Sequence, residues 1–321
     1  MNTGGIKVMK YIFMRMKKEK CHPNRERSKS MKERYTLIKA YQKNDHLRES
    51  FNDLAKRTFS LDFEDWYQNA YWQDNYIPYS IVDEDRIVAN VSISPMKFLH
   101  NKQVFHLIEL GTVMTDEAYK NKGLIRQLMG EIERDYENKV DGYFLFANKS
   151  VLDFYPKFGY KKMKEYEYFK DVSNDTEMTA EKISIEDRKT RRQFEEAIRT
   201  SHIQNSFYMK DNLELIMFYA TKFMSHNIYN IESENAYVIA EVDNEELYLY
   251  DVITPEQVDL DKVVFAFGKT IKKVILGFAP LEKKDYEVKA IPQIEDVLFV
   301  KGDVLQIIED NQLRFPVLSH T

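Results

Sequence analysis

Residues 113–126 read Val-Met-Thr-Asp-Glu-Ala-Tyr-Lys-Asn-Lys-Gly-Leu-Ile-Arg. An apolar stretch precedes this segment, and from Leu124 onward apolar residues recur at helical spacing. The pattern predicts a strand, then a short loop that ends in Gly123, then a helix. Backbone N–H groups in the first turn of a helix lack intrahelical acceptors, and with the helix dipole they favour an anion. The segment also carries three cations: Lys120, Lys122 and Arg126. We therefore predict a diphosphate-binding turn here.

The flanking residues predict an α/β layered domain with one open sheet. Its predicted strands are 35–40, 80–82, 87–94, 97–99, 104–115, 142–147 and 160–169, and its predicted helices are 45–58, 61–71, 121–137 and 150–158. The polar stretch 171–185 is the best linker, and a fainter pattern follows it. There the predicted strands are 228–231, 236–242, 247–252, 273–276 and 297–300, with helices at 213–222 and 260–267.

Composition excludes several classes of protein. The 321 residues are 43% apolar and 13% aromatic, which is enough for a sizeable core and excludes wholesale disorder. A single cysteine makes neither an internal disulfide nor a zinc cage, which predicts an intracellular, cytoplasmic protein. No apolar run approaches the roughly 20 residues that span a bilayer, so no stable membrane insertion is predicted. The net charge of −5 argues against nucleic acid and suits a cationic substrate.

The beginning of the chain has the opposite charge. Residues 1–30 carry nine basic and two acidic side chains. Such a segment is either a basic amphipathic stretch that touches anionic lipid, or an extension that precedes a fold beginning near Met31. We favour the second interpretation, because the first strand pattern begins at Tyr35. Residues 1–34 are therefore predicted to be a basic, disordered extension.

A second motif follows the predicted strand 142–147. It reads Asn148-Lys-Ser-Val-Leu-Asp-Phe-Tyr-Pro-Lys-Phe-Gly-Tyr160. With the turn described above, it resembles the signature of the GNAT superfamily of acyl-CoA-dependent N-acyltransferases: Arg/Gln-x-x-Gly-x-Gly/Ala, then Asn-x-x-Ala-x-x-Phe/Leu-Tyr-x-x-x-Gly-Phe. The first motif here is Lys120-Asn-Lys-Gly123-Leu-Ile125, so two positions depart from the pattern. Binding tolerates the added bulk of Ile125, because the contact expected there is made by backbone N–H.

The resemblance implies a GNAT fold with a mixed, largely antiparallel sheet over residues 35–172. The form of the turn looks most like the branch that contains the Eis aminoglycoside acetyltransferases. That branch carries a second, degenerate GNAT-like half, which matches residues 180–321, and a sterol-carrier-like domain for which this chain has no room. Multimers are common among such relatives, which makes a homo-oligomer a further expectation. The resemblance is specific over roughly residues 80–170 and topological beyond them.

The chemistry of acyl transfer to an amine indicates which residues to look for. An alkylammonium with a pKa near ~10.4 is only about one part in a thousand neutral at pH 7, so a base is needed, and the leaving thiolate needs a proton. The resemblance places Tyr155 at the position of the acid. It leaves two candidates for the base: Glu109, which matches the glutamate of the histone-acetyltransferase branch, and the carboxylate of Thr321, since the C-terminus enters the site in Eis-like enzymes. The apolar anchors Phe315 and Leu318 favour a tail that lines the site.

The co-substrate implied by the resemblance is acetyl-CoA, with no metal. Backbone groups of Val113 and Thr115 would meet the pantetheine amides, and Asn148 would bond the same arm or cap the following helix. The residues predicted to contact the co-substrate are Val113, Met114, Thr115, Lys120, Asn121, Lys122, Gly123, Leu124, Ile125, Arg126 and Asn148.

The predicted function is therefore transfer of an acetyl group from acetyl-CoA to a primary amine of a small-molecule or peptidic acceptor. The alternative is a non-catalytic CoA-binding sensor or scaffold, which would need neither Tyr155 nor a carboxylate facing the cleft. Four aromatic residues lie at helical spacing near the expected acceptor cleft: Trp66, Tyr67, Tyr71 and Trp72. We favour core packing for them over acceptor binding.

Overall fold

The computed structural model describes residues 35–321, so the extension predicted for residues 1–34 lies outside the described residues. The described chain forms two compact units. Unit 1 comprises residues 35–95, 108–140 and 321, and unit 2 comprises residues 96–107 and 141–320. The predicted domain limits, 35–172 and 180–321, follow the chain order, whereas these units interleave along it. Within residues 35–321, no helix combines the length and apolarity that a membrane span requires.

Unit 1 is a sheet with helices packed on it. Its elements are β1 (Thr36–Lys39), α1 (Asp45–Phe59), α2 (Glu64–Gln68), β2 (Ile77–Asp83), β3 (Arg86–His100), β4 (Gln103–Thr115) and α3 (Leu124–Asp135). The end of β3 and the beginning of β4, residues 96–107, belong to unit 2. The strand order is β1-β2-β3-β4. β1 and β3 both pair antiparallel with β2, as in Leu37 opposite Ile81 and Tyr79 opposite Val91.

Local sequence explains where α1 begins and ends. The side chain of Asn44 accepts from the Leu47 N–H at the N-terminus, and Ser60 adopts a left-handed conformation at the C-terminus. Burial of Arg48 on this helix is supported by the carboxylate of Glu64, with Nε to Oε2 at 2.9 Å, and by the ring of Tyr67, 3.7 Å below the guanidinium. These contacts join α1 to α2.

The core of unit 1 is aromatic. Trp66 and Trp72 stack with their ring centroids 6.1 Å apart, and both contact Phe63 and Tyr76. The exposed fraction is 6% for Trp66 and 2% for Trp72. The prediction that these side chains pack in the core is therefore confirmed.

Unit 2 contains the other strands and helices. They are β5 (Gly142–Ala147), β6 (Lys161–Lys162), β7 (Tyr166–Asp171), β8 (Glu181–Lys182), α4 (Arg188–Arg199), β9 (Tyr208–Lys210), α5 (Leu213–Lys222), β10 (Ile228–Ile231), β11 (Ala236–Asp243), β12 (Glu246–Ile253), α6 (Leu260–Phe265), β13 (Lys273–Leu276), β14 (Glu287–Ala290), β15 (Val297–Lys301) and α7 (Ile307–Asp310). β15 lies between β5 and β6 and is antiparallel to both. β9 pairs with the outer end of β3.

A seven-stranded sheet in unit 2 has the order β14-β7-β13-β12-β11-β10-β8. Within it, β10, β11 and β12 are antiparallel neighbours, and β13 joins β12 in parallel after the crossover helix α6. The order of elements from β10 to β13 is therefore three strands, a helix and a fourth strand. The same order of elements runs from β2 to β5. The two mixed sheets match the predicted fold class, a layered α/β GNAT fold followed by a second GNAT-like half.

Several predicted boundaries were wrong. Strands predicted at 87–94 and 97–99 form the single strand β3. Pro95 has no N–H to donate, but β3 tolerates it because it lies between the residues that pair with β2 and those that pair with β9. The strand predicted at 160–169 is two strands, β6 and β7, in different sheets.

The predicted helices 61–71, 121–137 and 150–158 are also shorter than expected. α2 covers only Glu64–Gln68, and Ala70 beyond it has a φ of 60°. α3 begins at Leu124, because Asn121 and Gly123 both have left-handed φ values that a helix cannot accommodate. Between 150 and 158 only Tyr155–Phe158 forms a 3₁₀ turn, which ends at Gly159 in the expected left-handed conformation.

The last segment of unit 2 is anchored by Phe315, as the sequence predicts. Its ring is fully buried and stacks on Phe144 at 4.1 Å between centroids, with Phe98 and Phe207 both at 5.1 Å. Leu318 is also buried. The segment is thus part of the core of the unit.

Replacing Phe315 by alanine is expected to lower the free energy of unfolding by about 3–5 kcal/mol, because the void left among three aromatic rings cannot collapse. Urea denaturation measures this loss. Leu281→Ala is the control, since Leu281 is 39% exposed and its truncation should change the free energy by no more than about 0.5 kcal/mol. Equal effects of the two substitutions would show that Phe315 is not an anchor.

Candidate active site

A buried carboxylate lies in the middle of β4. Glu109 is 1% exposed. Its two oxygens accept hydrogen bonds from the last residue of the sequence: Thr321 donates its backbone N–H to Oε1 at 2.9 Å and its hydroxyl to Oε2 at 2.7 Å. Both residues belong to unit 1. The structure therefore brings together the two residues that the sequence proposes as alternative sources of the base, with Thr321 acting as a donor to Glu109.

The environment of Glu109 favours its protonated form. Burial raises the pKa of this carboxyl to about 8, although the two hydrogen bonds from Thr321 oppose the rise. Within residues 35–321, no basic side chain lies within ion-pair distance of it. A carboxylate with a pKa near neutrality is suited to accept a proton in a catalytic step.

β4 departs from regular strand geometry three residues beyond Glu109. Thr112 has a φ of 46°, which is strained for a β-branched residue. Its hydroxyl shares a hydrogen bond of 2.5 Å with the Tyr76 hydroxyl, and its carbonyl accepts from Nδ2 of Asn90 at 2.9 Å. These contacts hold an irregularity that separates Glu109 from the predicted co-substrate strand, residues 113–115.

Sequence analysis did not identify Tyr76, Asn90 or Thr112. The alternation of residues 104–115 gave no sign of the break. The polar side chain of Asn90, between the apolar residues Ala89 and Val91, was the signal that could have indicated a supporting hydrogen bond.

The predicted diphosphate-binding turn has the expected geometry. A 3₁₀ turn at Glu117–Tyr119 leads to Asn121, with a φ of 60°, and to Gly123, with a φ of 78°. The first hydrogen bond of α3 runs from Gln127 N–H to the Gly123 carbonyl at 3.1 Å. The amides of residues 124–126 therefore precede the hydrogen-bond ladder of the helix and are oriented for an anion.

The backbone at Gly123 can be approached closely. A Cβ atom built at this position would meet nothing within 4 Å. This open face fits a diphosphate held by backbone amides, because no side chain separates the ligand from the chain. Leu124, by contrast, is buried and offers only its main chain.

The cations of the turn are exposed or half-exposed. Lys120 forms an ion pair with Glu117, and Nζ of Lys122 lies 4.3 Å from the ring centroid of Tyr119. Arg126 is exposed one turn into α3. Lys122 and Arg126 therefore bring positive charge to the turn, whereas the charge of Lys120 is balanced by Glu117.

The predicted pantetheine strand alternates between buried and half-exposed residues. Met114 is 2% exposed, whereas Val113 and Thr115 are half-exposed. Met114 therefore offers only its backbone, and the neighbouring residues present side chains on the other face.

Tyr155 lies in unit 2, at the start of the 3₁₀ turn that follows β5. Its ring is 6% exposed and packs near Phe154, Tyr160 and Phe299. Burial raises the pKa of its hydroxyl, so the group stays protonated across the neutral range. The structure shows no hydrogen-bond partner for this hydroxyl among residues 35–321.

Asn148 caps the turn that precedes Tyr155. Its Oδ1 accepts from the N–H of Ser150 at 3.0 Å and from the hydroxyl of the same residue at 2.5 Å. Of the two roles that the sequence left open for this side chain, the structure shows the capping contact. A contact with the co-substrate stays a prediction.

Within residues 35–321, no group of three or more His, Cys, Asp and Glu side chains could hold a metal ion. A cavity of about 440 Å³ in unit 1 is lined by Ser50, Asp53, Arg57, Arg86 and Asp116. None of the predicted catalytic or co-substrate residues lines it, so we do not assign the reaction to it.

Comparison with known proteins concerns the family of one segment and the fold of the chain. Residues 36–163 match the family described as Acetyltransferase (GNAT) domain. The match includes β4, the diphosphate-binding turn and the Tyr155 segment. No curated protein sequence is significantly similar to the chain.

Solved structures with the same fold come from several organisms. A conserved protein from Enterococcus faecalis V583, described as a probable N-acyltransferase, aligns with a TM-score of 0.58 and 14% identity over 85% of this chain and 74% of its own. A GCN5-related N-acetyltransferase from Kribbella flavida aligns at 0.51 and 15% identity, over 84% and 72%. Eis1 from Mycobacterium abscessus aligns at 0.53 and 10% identity, over 83% and 73%.

At these identities the structural matches establish the fold, and the family match covers the segment that carries both motifs. Residues 36–163 match the acetyltransferase (GNAT) domain, and the described chain has the fold of these solved GNAT N-acetyltransferases.

Proposed function

We propose that the chain transfers an acetyl group from acetyl-CoA directly to a primary amine of a small-molecule or peptidic acceptor. The observation that carries the proposal is the content of unit 1. It combines an anion-binding turn at residues 120–126 with a buried carboxylate, Glu109, on the strand that leads into that turn. One feature suits the diphosphate of a CoA thioester, and the other suits the proton of an attacking amine.

In this proposal Glu109 is the general base. The amine nitrogen forms a bond to the thioester carbonyl carbon, its proton passes to Glu109, and the carbon–sulfur bond breaks. Thr321 engages one position on each oxygen of Glu109, and each oxygen keeps a further lone pair for the incoming proton. We prefer Glu109 to the carboxylate of Thr321 because its pKa of about 8 lies in the working range of a base.

Tyr155 is proposed to protonate the departing thiolate. Support comes from its position in the second motif and from a hydroxyl that burial keeps protonated. The turn amides, together with Lys120, Lys122 and Arg126, would hold the diphosphate. Backbone groups of Val113 and Thr115, with the side chain of Asn148, would hold the pantetheine arm.

The family match and the acidic composition also support an amine as the acceptor. Binding to a CoA thioester without turnover would define the alternative, a sensor. We therefore propose to measure binding and turnover on the same preparation of protein.

Gly123→Val tests the binding step. We expect acetyl-CoA to raise the melting temperature of the wild-type chain and the substitution to raise Kd about 10-fold or more. A β-branched residue is strained at a φ of 78°, and its side chain would stand between the amides and the diphosphate. Isothermal titration calorimetry measures Kd. Gly130→Ala, at a half-exposed position of the same helix where an added Cβ meets only Arg134 at 3.8 Å, is the matched control and should bind as the wild type does.

An unchanged Kd in Gly123→Val would place the diphosphate elsewhere. Thiol release from acetyl-CoA is then followed with a panel of primary amines. Release that depends on an amine supports the transferase, and saturable binding without release on the whole panel would leave the sensor.

A further inference from the structure

Thr321 contacts the carboxylate of Glu109 through two hydrogen-bond donors. Its backbone N–H and its hydroxyl reach different oxygens of the same carboxylate, at 2.9 Å and 2.7 Å. The hydroxyl also accepts from Ser94 Oγ at 3.5 Å. Two donors from one residue fix both the position and the plane of the Glu109 carboxylate.

The strand leaves room for this residue at Gly111. A Cβ atom at Gly111 would lie 2.5 Å from the carbonyl oxygen of Thr321 and 2.6 Å from its hydroxyl, distances that real Cβ atoms do not show. Gly111 has no left-handed φ, so the absence of a side chain, and not backbone freedom, is what the position requires. The close approach of Thr321 therefore depends on Gly111.

The two hydrogen bonds from Thr321 are the interactions that stabilise the ionised form of Glu109. Desolvation favours the neutral form of the carboxyl, whereas the hydrogen bonds from Thr321 favour its ionised form. The titratable neighbour on the segment before β2 is Tyr76, whose pKa is itself raised by burial, so it stays neutral and brings no cation.

We propose that Thr321 is a positioning residue for Glu109: its N–H and hydroxyl clamp the carboxylate and favour the ionised form that accepts a proton. The proposal rests on the proposed function only in calling Glu109 the base. The clamp is a property of the protein without substrates, so it can be measured apart from catalysis.

The test compares Thr321→Val with Thr321→Ser. Both keep the backbone of residue 321, and only serine keeps the hydroxyl. Selective ¹³C labelling of glutamate carboxyls follows the titration of Glu109 by NMR, with Glu109→Gln to assign its signal. We expect a midpoint near the value of about 8 in the wild type and in Thr321→Ser. In Thr321→Val the midpoint should rise by about one pH unit, because a hydrogen bond to the charged form is lost.

Two further variants complete the design. Gly111→Ala should raise the midpoint in the same direction by displacing Thr321. Thr200→Val removes an exposed hydroxyl that bonds the carbonyl of Glu196 and should leave the midpoint unchanged. The acidic limb of kcat/KM against pH should move with the NMR midpoint in every variant.

An unchanged or lower midpoint in Thr321→Val, or a serine variant that behaves like valine, would overturn the clamp. A midpoint that moves as expected in a protein without amine-dependent turnover would instead support the clamp and reject the proposed function. The two failures are thus distinguishable.

Discussion

Replacing Glu109 by glutamine is expected to lower kcat/KM by about 10²- to 10⁴-fold, the usual effect of losing a general base. Glutamine has nearly the shape of glutamate but cannot take a proton from the attacking amine. Initial rates of thiol release at saturating acetyl-CoA measure the loss. The Kd for acetyl-CoA should stay close to that of the wild type, because the substitution does not touch the turn at residues 120–126.

The value of kcat/KM for the wild type is expected to rise with pH. Glu109 acts in its ionised form, and burial raises its pKa to about 8. The value of kcat/KM should therefore increase tenfold per pH unit on the acidic side and level off above about pH 8. In Glu109→Gln this limb should be absent from the residual rate.

Stability changes in the opposite direction with pH. The folded-state pKa of Glu109 lies above the value of about 4.3 expected in the unfolded chain. The folded state thus binds the proton more tightly, and the stability from this group is complete below about pH 4 and is lost as pH rises through 8. Glu109→Gln should therefore stay folded at pH 8.

Asp251→Asn is the control for loss of another carboxyl whose pKa is raised. Burial raises the pKa of Asp251 to about 6, and the side chain accepts from the Val252 N–H at 2.9 Å. This residue has no part in the proposed reaction, so the substitution should leave the acidic limb in place. Wild-type activity in Glu109→Gln would instead assign the base to the carboxylate of Thr321.

Tyr155→Phe is expected to lower kcat by about 10²-fold, the lower end of the range for a general acid. The phenyl ring keeps the packing of Tyr155 near Phe154 and Phe299, so the fold and the Kd for acetyl-CoA should be nearly unchanged. Only the proton for the departing thiolate is removed. Single-turnover measurements of thiol release separate this effect from product release.

Tyr160→Phe removes a hydroxyl from the same motif and serves as the control. Its ring lies 6.3 Å from that of Tyr155, and the family pattern itself carries phenylalanine at this position. We expect its kcat to be close to that of the wild type. Equal rates in Tyr155→Phe and the wild type would remove Tyr155 from the mechanism.

Much of the site can be predicted from sequence because its parts are local. Gly123 stands between a strand and an amphipathic helix, and a left-handed glycine followed by a helix start needs only short-range interactions. The left-handed Gly159 after Tyr155–Phe158 is local in the same way. The bend at Thr112 was not predictable, because its strain is supported by Tyr76 and Asn90 from other strands.

The order of strands was less predictable than the strands themselves. β15 lies between β5 and β6 although about 150 residues of chain separate it from β5 and about 135 from β6. Alternation of apolar residues indicates that a segment is a strand, but it does not indicate which neighbour it pairs with.

The sequence by itself determined the two motifs, the aromatic core and most helices and strands, because dihedral preferences and apolar periodicity act over a few residues. Only the tertiary structure decided that Thr321 donates to Glu109 across 212 residues of chain. That contact depends on the space left by Gly111 and on the burial of Glu109, and neither is a property of a local segment.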